Sequence, residues 1–203
     1  MSLSAWLKRI SDNSAQQESA SVGGVEESVA RQLEILQSLT TLSGEGRLEE
    51  MLSVLVRGLH DGLGMDRVVF CTVEPADRIQ GRLGAPDEEF AKTFHFTLRR
   101  QMADSLSRAM EQGGFVESMP SDATRRPVVL PDSLAASLRD VPFLFGVLQL
   151  GGRTMGAVYA DRTTTGRPLS ESVVEGFRHL VRQANLLMGR AAANRGTGST
   201  FSA

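Results

Sequence analysis

The side chains of this sequence that are able to do chemistry are few, and their spacing argues against most of it. Three histidines, His60, His95 and His179, share no His-x-x-x-His pair and have no cysteine partner nearby, and a zinc or related site needs such clustering. No metal site and no catalytic residue are assigned. A single cysteine, Cys71, excludes an intrachain disulfide. It lies inside an apolar run, where a thiol packs as a small hydrophobe instead of ionising to a nucleophile. The glycine-rich pieces "GGV" and "LGGR" lack the Lys-Ser/Thr of a phosphate loop, and no Gly-x-Ser-x-Gly elbow occurs. The chain therefore reads as a non-enzyme. Arg125-Arg126 follow Asp122 in a proline-bounded stretch and could hold an anionic ligand through their donor forks, a solvated loop pair being the plainer alternative. Asp161-Arg162 ends an apolar run, and an Asp at a strand end can bond the backbone of the loop that follows.

Composition bounds the class. The 203 residues suffice for one domain with a full core plus terminal extensions, two very small domains being the alternative. With 41% hydrophobic and 23% charged residues, and no apolar run near the ~20 residues that span a bilayer, no membrane span is expected. "MSLSAWLKRI" places its charges after its apolar residues, the reverse of a secretory signal, so a cytoplasmic location is expected. A net charge of −2 gives no reason for nucleic-acid binding.

These residues need elements to position them. Residues 1–24 read as a short amphipathic segment, with Trp6, Leu7 and Ile10 on one side, followed by a flexible linker, "SDNSAQQESASVGG". Under ten residues, "SAWLKRI" orders only against a partner, a second subunit or an anionic surface. A first helix spans Val25 to Leu42, with Val29, Leu33 and Leu36 beside a second row of Ile35, Leu39 and Leu42. A second carries Leu48, Met51, Leu52, Leu55, Val56, Leu59 and Leu63, with Gly64 just past its end. "RVVFCTVEP" is a central strand and "RIQGRLG" its hairpin partner across Ala76-Asp77. A mixed middle follows: a strand at 93–98, a helix at 99–114 with Met102, Leu106, Ala109 and Met110 inward, a strand at 115–119, a loop at 120–131 and a short helix begun by Pro131. "FLFGVLQL" and "RTMGAVYAD" form a hairpin through Gly151-Gly152. The last helix runs from Glu171 to Ala192, and 193–203 is a flexible tail. The fold class is then α+β, an α/β sandwich: an antiparallel sheet with terminal helices on one face and the mixed helix/loop segment on the other.

"GAVYADRTTTGRPLSESVVEGFRHLVRQANLLMGRA" (156–191) resembles the closing strand, polar loop and helix of GAF domains, and "LHDGLGMDRVVFCTVEP" (59–75) resembles their entry. The likeness covers about 26–192 and is nearest a divergent form found in bacterial signalling proteins, sometimes beside an HD-related output domain. It implies a GAF-like domain over 25–192 with a non-catalytic regulatory role: small-molecule sensing or signal relay coupled to helix-mediated homodimerisation, with a protein partner in a signalling pathway. A ligand-free dimerising scaffold that recruits a protein partner is the alternative. No cofactor is evident, and the resemblance leaves the small molecule unspecified. Bilin-bearing members attach the chromophore to a cysteine in the middle region, unlike Cys71; sulfoxide-reducing members use several cysteines; cyclic-nucleotide binders carry an Asn-Lys-x-x-x-Asp motif, and no Lys occurs between 93 and 203.

If a ligand binds between the sheet and the middle segment, its lining is expected from Phe70, Thr72, Arg125, Arg126, Phe145, Met155, Tyr159 and Asp161. By the period of two, Met155 and Tyr159 share a face, as do Phe143, Phe145 and Val147. Whether that face meets the middle segment or the terminal helices is open. The dimer face is expected to use Val29, Leu33, Leu36, Leu180, Leu187 and Met188.

Overall fold

The computed structural model describes residues 30–44, 47–98, 104–120, 122, 124 and 127–197, the last four without their side chains. Two helices open it. The first, α1, covers residues 30–44, and α2, Leu48–Arg57, runs into a π-helical turn at Gly58–Gly62. Gly64 then takes the expected left-handed conformation, φ 61°.

Strand β1 (Arg67–Glu74) turns through a 3₁₀ segment, Pro75–Asp77, into β2 (Arg78–Ala85). Ala76 and Asp77 both have positive φ, 62° and 56°, which closes the hairpin tightly. Helix α3 (Glu88–Thr93), β3 (His95–Thr97), α4 (Ser105–Gln112), β4 (Phe115–Ser118) and α5 (Asp132–Leu138) make up the middle. The chain closes with β5 (Phe143–Leu150), β6 (Arg153–Asp161) and α6 (Glu171–Thr197). Gly151 and Gly152, φ 58° and 78°, supply the two positive values that a primed hairpin turn requires.

The six strands form one sheet in the order β3-β2-β1-β6-β5-β4, and each neighbouring pair is antiparallel. Alternation along each strand divides the core into two layers. Val68, Phe70, Leu144, Leu148, Val158 and Ala160 pack with α1, α2 and α6. Val69, Cys71, Phe143, Phe145, Val147, Ala157 and Tyr159 pack with α3, α4 and α5. The face left open by the sequence thus meets the middle segment, and the expected α+β arrangement is the observed one.

Helices α1 and α6 lie side by side and run parallel. Gln32 sits against Gly176, and the Ser43 hydroxyl donates to the Leu187 carbonyl at 2.8 Å, the same sequence offset of 144 at both ends. The described part of α1 buries Ile35, Leu39 and Leu42, while Leu33 is 55% exposed. Of the two apolar rows, the second is the core-facing one.

Several boundaries differ from the sequence expectation. Ser43 and Gly44, beyond the expected end of the first helix at Leu42, remain helical, and the Ser43 hydroxyl is buried against α6. Pro131 is the N-cap of α5 and not its first helical residue. Helix α6 continues five residues beyond Ala192, to Thr197. Met102 lies outside the described residues, as do Val25 to Val29. Helix α3 has no counterpart in the expectation. Its signal was present: Asp87 accepts from the Glu89 and Phe90 amides at 3.0 and 3.3 Å, and Glu88 and Glu89 occupy the positive end of the helix.

Helix α3 lies so close to β2 that a side chain would not fit between them. A Cβ at Gly81 would stand 2.0 Å from the Ala91 carbonyl oxygen, and the Gly81 amide donates to the Phe94 carbonyl at 2.8 Å. Gly81→Ala is therefore expected to lift α3 and cost about 1–3 kcal/mol, the usual range for overpacking. Urea unfolding checks this, and an unchanged midpoint would show that α3 moves freely.

Candidate functional site

The conspicuous polar constellation is built where β6 ends beside the start of β1. Arg67 pairs with Asp161 across the two strands. The Asp161 carboxylate, fully buried, accepts from Arg67 Nε at 2.9 and 3.1 Å and forms an ion pair with Nη2 at 2.7 Å. It also accepts from the Tyr159 hydroxyl at 2.6 Å and from the Thr163 amide and hydroxyl at 2.9 and 2.7 Å. Thr163 is the loop contact expected of an Asp at a strand end. The Arg67 guanidinium lies over the Phe90 ring at 4.1 Å. Burial alone would lower the Arg67 pKa; its hydrogen bond to Asp161 and the carboxylate charge outweigh that and raise it. Burial, reinforced by the Asp161 charge, holds the Tyr159 phenol well above its ordinary value.

The next residue extends the same lacing. Arg162 donates to the carbonyls of Leu63, Gly64 and Pro168 at 2.5, 3.0 and 3.1 Å. Asp66 accepts from the Thr165 amide and hydroxyl, and the Asp66 amide donates to the Asp161 carbonyl at 2.8 Å. Together these bonds tie the β6–α6 loop to the end of α2, which fixes where α6 begins. Chemically the cluster is a latch. Its charges face one another, and among the described residues no buried side-chain nitrogen or oxygen lacks a partner.

Of the expected ligand-lining residues, Phe145, Tyr159 and Asp161 are brought together, and Phe70, Thr72 and Met155 are not. Phe145 and Tyr159 share the layer under the middle segment, both fully buried. Phe70 belongs to the helical layer, and Thr72 follows it by alternation, accepting from Arg82 Nε at 3.3 Å. Met155 also lies in the helical layer, against the period-of-two expectation. The reason is a bulge. Leu148 pairs with Gly156 and Gln149 with Thr154, so Met155 is the extra residue and its side chain turns away from the face of Tyr159. Arg125 and Arg126 lie outside the described residues. The space between the sheet and the middle segment is occupied by rings: Tyr159 has centroid distances of 4.8 Å to Phe94, 5.5 Å to Phe143 and 6.1 Å to Phe90, and Phe96 packs edge-on to both Phe94 and Phe145.

An open cleft of about 660 Å³ lies beside this filled layer, between the end of β4, the following loop and α5. Ser118, Met119, Val128, Leu130 and Ala135 give it walls, with Arg139 and Asp140 at its charged end. The residues named for a dimer face are divided. Leu180, Leu187 and Met188 are core, 0, 6 and 1% exposed, because they point from α6 onto the sheet and α1. Leu36 is half-buried against the same core, Leu33 is exposed, and Val29 lies outside the described residues. Exposed apolar surface on α6 is instead at Leu186, 60%. Arg67 and Phe90 escaped the sequence reading: Arg67 meets Asp161 across 94 residues, and no local pattern reports such a pairing.

No protein-family model and no curated protein matches the sequence. Solved structures do match the fold. The phycocyanobilin-bound GAF domain of a cyanobacterial phytochrome superposes with a TM-score of 0.61 at 16% identity, covering 80% of this chain and 96% of that one. The GAF domain/HD domain protein from Geobacter sulfurreducens gives 0.56 at 16% identity, over 75% of this chain and 98% of that one. Free methionine-R-sulfoxide reductase from Neisseria meningitidis gives 0.54 at 15% identity, over 80% and 91%. With the strand order, the two-layer core and the latch at the end of β6, these likenesses establish that the chain carries a GAF-like fold.

Proposed function

We propose that this chain is a non-catalytic regulatory module that relays a signal through its helical layer, as a dimerising scaffold with a filled interior. The observation that carries this is the layer beneath α3, α4 and α5, where Phe96, Phe143, Phe145 and Tyr159 are each no more than 1% exposed. A ligand there would have to displace close-packed rings and the donor that Tyr159 gives to Asp161. Cys71 supports the same view, since burial pushes its thiol up to about 12, far from a reactive thiolate. The bilin of the phytochrome neighbour and the substrate of the reductase belong to those proteins.

Native mass spectrometry of freshly purified protein, compared with its denatured mass, tests the proposal. A dimer at the bare sequence mass is expected. An additional small mass lost on denaturation would overturn the ligand-free reading in favour of sensing at the cleft beside α5, which is large enough for a small molecule. In that case Arg139→Ala should reduce the retained mass. For the dimer, exposed Leu33 and Leu186 on the two parallel helices are the natural contact residues. Leu186→Glu is expected to give a monomer in light scattering with the melting temperature of the monomeric domain intact. A wild-type monomer at all concentrations would remove the scaffold.

A further inference from the structure

The α1–α2 pair carries a second concave surface that the relay reading does not use. Its floor is Ile35 and Val54, beside Gly58 and Gly62 of the π-helical turn. The approach is close there: a Cβ at Gly58 would stand 2.8 Å from Ile35 Cγ1, and one at Gly62 would stand 2.6 Å from its Cδ1. α1 is thereby drawn close to the end of α2, and a groove of about 400 Å³ is left along their outer junction. Arg31, Glu34, Arg57 and Asp61 stand on its rim, and Arg31 Nη1 donates to the Asp61 carbonyl at 3.3 Å.

We propose that the N-terminal segment of this same chain, Trp6, Leu7 and Ile10, occupies that groove. The groove begins at Arg31, one residue beyond the point where the described chain starts. The linker read from the sequence, residues 11–24, joins the segment to the helix expected from Val25 and is rich in Ser, Ala, Gln and Gly. A chain of that composition and length has a root-mean-square span of roughly 20 Å, equal to the roughly 20 Å of helix between Val25, where the first helix is expected to begin, and Ser38. The tether therefore reaches every part of the groove and holds the segment at about millimolar effective concentration, far above that of a free second copy. The chemistry also matches. An apolar floor takes the apolar side of "SAWLKRI", while the rim, Arg31 and Arg57 with Glu34 and Asp61, is balanced in charge, so burial of apolar area is the driving term. A segment this short does not hold a helix in water by itself, so its one Trp and two aliphatic side chains need a surface.

Trp6 is the sole tryptophan of the chain, so selective excitation reads this segment alone. In the full chain its emission is expected to be blue-shifted and shielded from acrylamide, independently of protein concentration. Val54→Glu on the groove floor, and separately Leu7→Asp with Ile10→Asp, which alters no described residue, should each return Trp6 to the emission and quenching of the urea-unfolded chain. Circular dichroism establishes that Val54→Glu remains folded; if it does not, Ser38→Arg in the groove wall replaces it. Solvent-like emission in the wild type overturns the proposal. So does shielding that survives the groove variant, or shielding lost on dilution, which would assign the contact to a second copy.

Discussion

Tyr159→Ala is expected to destabilise the fold severely. Removing a fully buried aromatic ring costs about 3–5 kcal/mol, and the buried Asp161 carboxylate loses a 2.6 Å donor, worth up to about 1–3 kcal/mol more. For a chain of this size the first figure alone lowers the melting temperature by roughly 6–20 °C. Tyr159→Phe keeps the ring and isolates the hydroxyl, so it should lose only about 1–3 kcal/mol. A Tyr159→Ala protein that melts like the wild type would show that the aromatic layer is loosely packed, and would reopen the interior to a ligand.

Tyr159 is the only tyrosine, so its ionisation can be followed directly by absorbance. In the native state the phenol stays neutral beyond its ordinary value of 10.0, because burial and the Asp161 charge oppose the phenolate. In the unfolded chain it ionises near that ordinary value. The unfolded state therefore loses a proton that the native state keeps, and the Tyr159 contribution to stability, complete below about pH 10, falls as pH rises above it. Tyrosinate absorbance is expected to appear together with loss of circular dichroism. Ionisation near pH 10 in a still-folded protein would contradict the burial. Tyr159→Phe should remove this component of the alkaline slope.

Leu187→Glu should unfold the protein, whereas Leu186→Glu one residue earlier should leave it intact. Leu187 is 6% exposed in the helical core and its carbonyl receives the Ser43 hydroxyl, so a carboxylate there would be buried with no counter-charge, a change in the class that exceeds about 4 kcal/mol. Leu186, 60% exposed, belongs to the surface class, within about 0.5 kcal/mol in a monomer. Neighbouring helical positions differ by about 100° of rotation, so the pair reports the phase of α6 against the sheet. A folded, monomeric Leu187→Glu would mean that α6 is rotated and that its dimer face is the one first expected.

Much of the architecture was legible because it is local. Apolar spacing marked α2 and α6, β-branched and aromatic runs marked β1, β5 and β6, and Gly64, Gly151 and Gly152 stand at the positive-φ positions for which glycine was read. Antiparallel pairing followed from two tight hairpins, and the segregation of terminal helices from the mixed middle followed from their order in the chain. Helix α3 was missed although its cap is local, because six residues are too few for a hydrophobic period to emerge.

The site was less legible, for a different reason. Alternation predicts a shared face only while a ladder is regular, and the bulge at Met155 depends on how β5 meets β6. Amphipathic spacing identified an apolar stripe on α6 but not whether the sheet or a second molecule covers it, since both burials select the same residue types. What the sequence determined by itself was the kind and order of the elements, through short-range sterics, capping and periodicity. Only the tertiary structure decided that Asp161 meets Arg67, that aromatic rings fill the space under α3, and that Leu187 is core while Leu186 is surface. Each depends on contacts between residues far apart in the chain, where close packing selects the partner and no local pattern records it.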